Sequence, residues 1–236
     1  MQTMRETNSG CTGQIQRTGE FFKKLTPSAL RDLESMEFPT SYQPGVLLFS
    51  EKTASSGLFI ILSGEVKLSI NSSDGKRLIL SIAKTGEILG LSSALSGLPS
   101  EMTAEVLYPA KIAVIERTQF LNFLTRHPEV YQTVTQELSL QYKVACEQLR
   151  TVALSSTAPE KLARLLLDWS ESGQKTENGT RFRFSLTHEE IGEFIGASRE
   201  TVTRTLSTFK SQHLVAFNGS TLTIPSRMAL ESLAGV

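Results

Sequence analysis

The chain of 236 residues holds two cysteines, Cys11 and Cys146. An iron–sulfur cluster needs about four thiolates, so the chain cannot build one alone. Two thiols so far apart also argue against a metal site or a disulfide framework. Long hydrophobic runs are missing as well. The longest pure apolar stretch is Leu58-Phe59-Ile60-Ile61-Leu62, well short of the roughly 20 residues of a membrane helix. The first twenty residues are polar and lack the apolar core of a signal peptide, so a cytoplasmic location with no membrane partner is expected. No charge of one sign dominates: 24 Lys and Arg balance 24 Asp and Glu. A phosphate backbone draws proteins with a basic footprint, so a case for DNA binding must rest on local pattern. Enzyme signatures are missing too. There is no Gly-rich nucleotide loop ending in Lys-Ser/Thr, no His pair at metal spacing and no Gly-x-Ser-x-Gly. The three histidines, His127, His188 and His213, read as surface or capping residues and not as haem ligands. No catalytic residue, metal or cofactor is expected.

What is present changes character along the chain. Residues 1–19 read as a flexible tail, and residues 21–36 as short helices with Pro27 near a helix start. Over 42–116 short runs alternate with period two: Val66, Leu68 and Ile70 against Lys67 and Ser69, then Leu78, Leu80 and Ile82 against Ile79 and Ser81. Asp74-Gly75 between these runs signals a hairpin, and Ile112 to Ile115 a further strand. Many short strands at close spacing indicate a small sandwich or barrel. A helical pattern follows. Tyr131, Val134, Leu138, Tyr142, Ala145, Leu149 and Val152 recur in steps of three and four, close to the repeat of about 3.5 residues in a coiled-coil seam. This predicts a dimer helix, the alternative being an amphipathic helix packed on its own domain. Ser155 to Pro159 reads as a hinge, Leu162, Leu165, Leu166 and Trp169 as the apolar face of the next helix, and residues 173–179 as a loop before a strand over 181–184.

Thr187-x-x-Glu190 is a capping box, so a helix begins near 188. Gly196 ends it and Ser198 caps the next. Two helices around a Gly-containing turn form a helix-turn-helix pattern. In the second helix Val202, Leu206 and Phe209 share one arc, while Arg199, Glu200, Thr203 and Arg204 spread beside it. Arg bonds bidentately to guanine, and a carboxylate accepts from the cytosine amino group, so Arg199, Glu200 and Arg204 suit a DNA major groove. The competing reading is a solvated, salt-bridged face, since Glu200 and Arg204 are an i,i+4 pair. Leu214 to Phe217, Asn218-Gly219 and Leu222 to Ile224 form a hairpin directly afterwards, the arrangement of a winged helix.

The stretch Leu186 to Arg204, reading LTHEEIGEFIGASRETVTR, resembles the signature of the Crp/Fnr superfamily of bacterial transcription regulators. The glycine-punctuated region 44–104, with Leu58 to Gly64 and Gly86-Glu-Ile-Leu-Gly90, is similar to that family's cyclic-nucleotide-binding-type roll. The resemblance implies an α+β chain: a β-roll of jelly-roll type over 20–128, a dimerisation helix over 129–154 and a winged helix-turn-helix domain over 155–236. It implies a homodimer on double-stranded DNA, with the 198–211 helix in the major groove of inverted GTGA-like half-sites about one helical turn apart. Arg199, Glu200 and Arg204 match the family's base-reading positions. Thr187, Ser198 and Thr201 match phosphate-contacting positions, which fix register; Thr203 and Lys210 are expected to join them on the backbone. The loop over 171–180 occupies the place where family members touch RNA polymerase. A ligand-binding or protein-docking module that has lost DNA reading is the alternative function.

The effector pocket is expected around Gly90, Leu91, Ser92, Met102 and Thr103. In cyclic-AMP-responsive members a Glu follows the Gly of the phosphate-binding turn, and an Arg precedes a small hydroxyl residue. Here Leu91 follows Gly90 and Met102 precedes Thr103. A buried phosphate needs a fixed cation or aligned donors, so cyclic AMP held in the family's manner is not expected. Three readings stay open: a less charged or partly apolar effector, a vestigial roll in a protein active as made, or a cyclic nucleotide bound in a rearranged way.

Overall fold

A computed structural model describes residues 19–54, 57–154, 157–184 and 186–235. Cys11, residues 1–18 of the expected tail, and Ser155 and Ser156 of the expected hinge lie outside them. The class is α+β. Two short helices, α1 (Glu20–Lys23) and α2 (Pro27–Ser35), come first. Thr26 caps α2 by accepting from the Ala29 amide at 3.2 Å, and Pro27 occupies the first turn, where its missing N–H costs nothing.

Six antiparallel strands build the roll: β1 (Phe38–Tyr42), β2 (Leu47–Phe49), β3 (Gly57–Asn71), β4 (Arg77–Ala83), β5 (Ile88–Leu89) and β6 (Thr103–Glu116). The main path is β1-β6-β3-β4; β2 also pairs with β6, and β5 with β3. The expected hairpin at Asp74-Gly75 joins β3 to β4. A six-residue helix, α3 (Leu91–Ser96), follows β5. The long β3–β6 pairing shifts register three times between Ile61 and Val66. Such bulges bend a strand pair, which lets two strands wrap the domain. Gly64, with φ +90°, stands at this bend, where a Cβ would lie 2.7 Å from Ala110. The apolar run 58–62 shows no polar alternation because both faces of β3 are covered. Phe59 and Ile61 join Leu89, Val66 and Ile112 on one side. Leu58, Ile60 and Leu62 meet Phe21, Phe22 and Leu33 on the other, together with Phe120 and Phe123 of α4 (Arg117–Arg126).

His127 ends α4, and its Nε2 lies 2.9 Å from Asp32, which also pairs with Arg126 at 2.6 Å. His127 is therefore a capping residue, as expected, at the end of α4, and its side chain is a largely buried joint to α2. The 25-residue α5 (Val130–Leu154) then crosses the roll. The expected seam along it does not stay together. Val134, 2% exposed, belongs to the roll's own core and Leu138 packs against that core, because the helix must first cover the sheet below it. Tyr131, Tyr142 (74% exposed) and Leu149 (56%) form a free stripe, while Ala145 and Val152 are half-buried.

The C-terminal part runs α6 (Ala158–Ser170), β7 (Gln174–Thr176), β8 (Gly179–Arg183), α7 (His188–Ile195), α8 (Arg199–Ser211), β9 (Ala216–Asn218), β10 (Thr221–Ile224) and α9 (Arg227–Ala234). Residues 173–179, expected as a loop, instead supply β7, which pairs with β8 and extends the wing to a four-stranded sheet ordered β7-β8-β10-β9. The wing turn also sits one residue later than expected. Asn218 pairs with Thr221, leaving Gly219 and Ser220 as the loop.

The two parts share a core. Ile79 of β4 is fully buried among Leu162, Phe182, Phe194 and Val202, with Ile82 and Leu107 against the same cluster. Lys67 of β3, 4% exposed, reaches Glu190 of α7 at 3.1 Å and Glu105 at 3.5 Å. The Gln148 amide on α5 donates to the Ile79 carbonyl at 2.9 Å and to the Phe194 carbonyl at 2.7 Å. Arg183 lies 4.6 Å above the Tyr108 ring. Lys67 and Ser69, expected on an outer face, are thus buried.

Candidate functional site

The capping box expected at Thr187 forms in full. The Thr187 hydroxyl accepts from the Glu190 amide at 3.2 Å, and the Thr187 amide donates to Glu190 Oε2 at 3.0 Å. Glu190 spends its other oxygen on Lys67. Burial raises its carboxyl, but the Thr187 amide and the Lys67 ammonium outweigh burial and hold it below the usual carboxylate range. Gly196 closes α7 with φ +64°, a left-handed value that favours glycine. Ser198 caps α8 by accepting from the Thr201 amide at 3.2 Å. The N-termini of α7 and α8 thus carry Thr187 and Ser198, and helix N-termini present free amides and positive dipole to an anion.

On α8, Val202, Leu206 and Phe209 are buried, along with Thr205. Arg199, Glu200, Thr203 and Arg204 are exposed, and Thr201 is half-buried. Among the described residues no ion pair joins Glu200 to Arg204 or Arg199. Its own backbone amide first, then the Ser198 hydroxyl and the Arg199 charge, lower the Glu200 carboxyl. Both guanidiniums are therefore available to a partner. Thr203 differs from expectation. Its hydroxyl donates to the Arg199 carbonyl at 2.9 Å and meets His188 Nδ1 at 2.7 Å, so it is committed to tying α7 to α8. Lys210 is exposed but stands eleven residues beyond Arg199, about 16 Å along an ideal helix, and is not part of the N-terminal cluster.

A cavity of about 440 Å³ lies between the roll and α5. Gly90, Leu91, Ser92 and Met102 line it as expected, with Phe49, Leu68, Leu80, Leu140 and Val144. Thr103 does not. Its hydroxyl accepts from the Glu51 amide at 3.1 Å and holds the turn. Ser92 donates to Glu101 at 2.8 Å, and Ser100 to the Met102 carbonyl at 2.8 Å. A second space of about 810 Å³ opens where β4, α5, α6 and α7 converge. It holds Asp168, whose carboxyl is pushed up to about 6 by burial first and by the nearby Glu171 and Glu147 charges.

The residues that join roll to reading head were missed in the sequence. One signal was there: Ile79 occupies the face that Ser81 marks as polar, which implies a covered surface. Nothing local marks Lys67 or Gln148.

The family described as the cyclic nucleotide-binding domain matches residues 39–127, and the Crp-like helix-turn-helix domain matches residues 160–233. The "CRP-like cAMP-activated global transcriptional regulator" of Mycobacterium tuberculosis is 26% identical over 211 residues, covering 89% of this chain and 93% of that protein. FixK2 from Bradyrhizobium japonicum superposes with a TM-score of 0.74 at 21% identity, over 84% of this chain and 96% of that one. The "c-di-GMP Responsive Global Regulator CLP" of Xanthomonas campestris gives 0.72 at 18% identity, over 85% and 100%. These matches to structures establish a shared fold. Among the described residues no helix is long and apolar enough to cross a membrane.

Proposed function

The chain belongs to the Crp/Fnr superfamily of transcription regulators with a helix-turn-helix DNA-binding domain, and from that premise we propose that it is a cytoplasmic homodimer reading an inverted repeat. Each α8 enters a major groove, where Arg199, Glu200 and Arg204 read a GTGA-like half-site. Thr187, Ser198 and Thr201 bind the flanking phosphates from two helix N-termini. The observation that carries this reading is the exposed trio on a helix whose opposite face is fixed in the core. A face meant only for solvent gains from i,i+4 ion pairs, and among the described residues Glu200 and Arg204 form none.

The free stripe of Tyr131, Tyr142 and Leu149 supports self-association along α5, since exposed apolar side chains at helical spacing seek a partner. The exposed turn between β7 and β8 is proposed to meet RNA polymerase. The effector is one other than cyclic AMP, because Leu91 and Met102 put hydrocarbon where a cyclic phosphate and ribose would need polar anchors.

Selection of bound sequences from random duplex DNA tests the proposal. An enriched inverted repeat with half-sites about one helical turn apart is the expected result. Single, unpaired half-sites would remove the dimer. No enrichment at all would leave a docking module in place of a DNA reader.

A further inference from the structure

The cavity beside α5 has the size of a small-molecule site: its 440 Å³ falls in the range of roughly 300–1,000 Å³ common for ligand pockets. Its charge is one-sided. Glu87, Glu101 and Glu137 line it, and none of the described lining residues is a lysine or arginine. Glu20, also in the wall, is answered by Lys23. The other three form no ion pair among the described residues. Ser92 gives Glu101 one hydrogen bond, and the Gln141 amide is shared between the Ile88 carbonyl at 3.0 Å and Glu137 Oε1 at 3.5 Å. Burial, with the Glu137 charge added, raises the Glu87 carboxyl against a smaller opposing pull from Lys84. Between these groups the walls are hydrocarbon: Leu68, Leu80, Leu91 and Met102, with the Phe49 ring.

We propose that this cavity binds an organic cation with an apolar body, a protonated amine whose charge sits among Glu87, Glu101 and Glu137 while its hydrocarbon lies against Leu68, Leu80 and Met102. The inference rests on reading the roll as an effector domain. An anion placed here would meet carboxylates and no cation among the described lining residues. An uncharged ligand would fill the space but leave the Glu137 charge acting on Glu87. A cation relieves that repulsion, and an aromatic ring such as Phe49 adds to its binding. The site is also connected to the reading head. Successive side chains of a strand point to opposite faces; Leu80 lines the cavity, and its neighbour Ile79 is buried in the core under α7 and α8.

Three probes with one hydrocarbon body separate the possibilities: phenylbutylamine, phenylbutanol and phenylbutanoate, titrated into the full chain near neutral pH by calorimetry. The amine is expected to bind at least about tenfold more tightly than the alcohol, and the carboxylate not at all. Glu137→Gln and Glu87→Gln should each narrow the gap between amine and alcohol. Met102→Trp, which fills the space, should abolish amine binding. Equal affinity for amine and alcohol, binding of the carboxylate as tight as that of the amine, or binding of none of the three overturns the assignment. DNA selection on the same preparation keeps the two readings apart. Amine binding without an enriched repeat defeats the regulator and keeps the site, whereas an enriched repeat without amine binding does the reverse.

Discussion

On α8 the two guanidiniums at the surface are left open. Arg199 and Arg204 are exposed without an ion pair among the described residues, and Glu200 bonds only to its own turn. In the cavity beside α5 the polar groups are mostly spent within the chain: Ser92 on Glu101, Ser100 on the Met102 carbonyl, Gln141 on the Ile88 carbonyl. A surface that reads base edges needs directed donors and acceptors free in advance. A cavity whose hydroxyls are committed selects by shape and net charge instead. The contrast sets a surface with unpaired guanidiniums against a cavity lined by hydrocarbon and carboxylates. Lys67, Ile79 and Gln148 lie between them and make the two regions one body.

Three measurements bear on this contrast. The largest effect is expected at the joint. Lys67→Met keeps the buried stem but takes from Glu190 its only cation among the described residues, while Glu105 keeps Arg77 at 3.2 Å, and should cost about 2–3 kcal/mol in chemical denaturation. Adding Glu190→Gln should recover part of the loss, because the uncompensated charge is then gone. Unchanged stability would mean that packing at Ile79 alone holds the two parts together. Next, Arg204→Ala should weaken DNA binding by about 1–3 kcal/mol and relax preference at one guanine, with probe affinity in the cavity unaltered. Uniform weakening on all sequences would reassign Arg204 to the phosphates. The smallest effect concerns Asp168. Its carboxyl, raised from 3.8 to about 6, holds its proton in the native state over a range where the unfolded chain has lost it. Stability therefore falls as pH rises from about 4 to 6. Asp168→Asn should remove that slope and raise Tm above pH 6 by on the order of 2 °C, a modest gain because the group stays partly solvated. An unchanged slope would place the titration elsewhere.

Local chemistry was readable in the sequence. Thr187 and Glu190 satisfy each other within one turn of helix, so three residues of spacing suffice to identify them. Asp74-Gly75 likewise marks its hairpin from within. Leu91 and Met102 are legible as apolar residues beside Gly90 and Thr103, and both line the cavity. What depended on distant chain was not readable. Lys67 alternates with Val66 and Leu68 as a solvent-facing strand residue would, and only the arrival of α7 buries it. Val134 fits a dimer seam as well as it fits a roll core, because a helix that does both keeps one heptad-like spacing. Gln174, Lys175 and Thr176 have no apolar alternation at all; they become β7 because β8 offers them a ladder. The α9 helix, packed through Leu230 and Ala234, went unpredicted because it follows Pro225 as a short amphipathic segment of only eight residues.

Gln148 sets a rule for substitution. Its single amide nitrogen serves two carbonyls, one from β4 and one from the end of α7. Asparagine at 148 is one methylene shorter, methionine has no N–H, and glutamate would aim negative charge at both oxygens. Any of these at position 148 leaves at least one of the two carbonyls without this donor. One side chain on the long helix thus ties a strand of the roll and the end of α7 to the same atom.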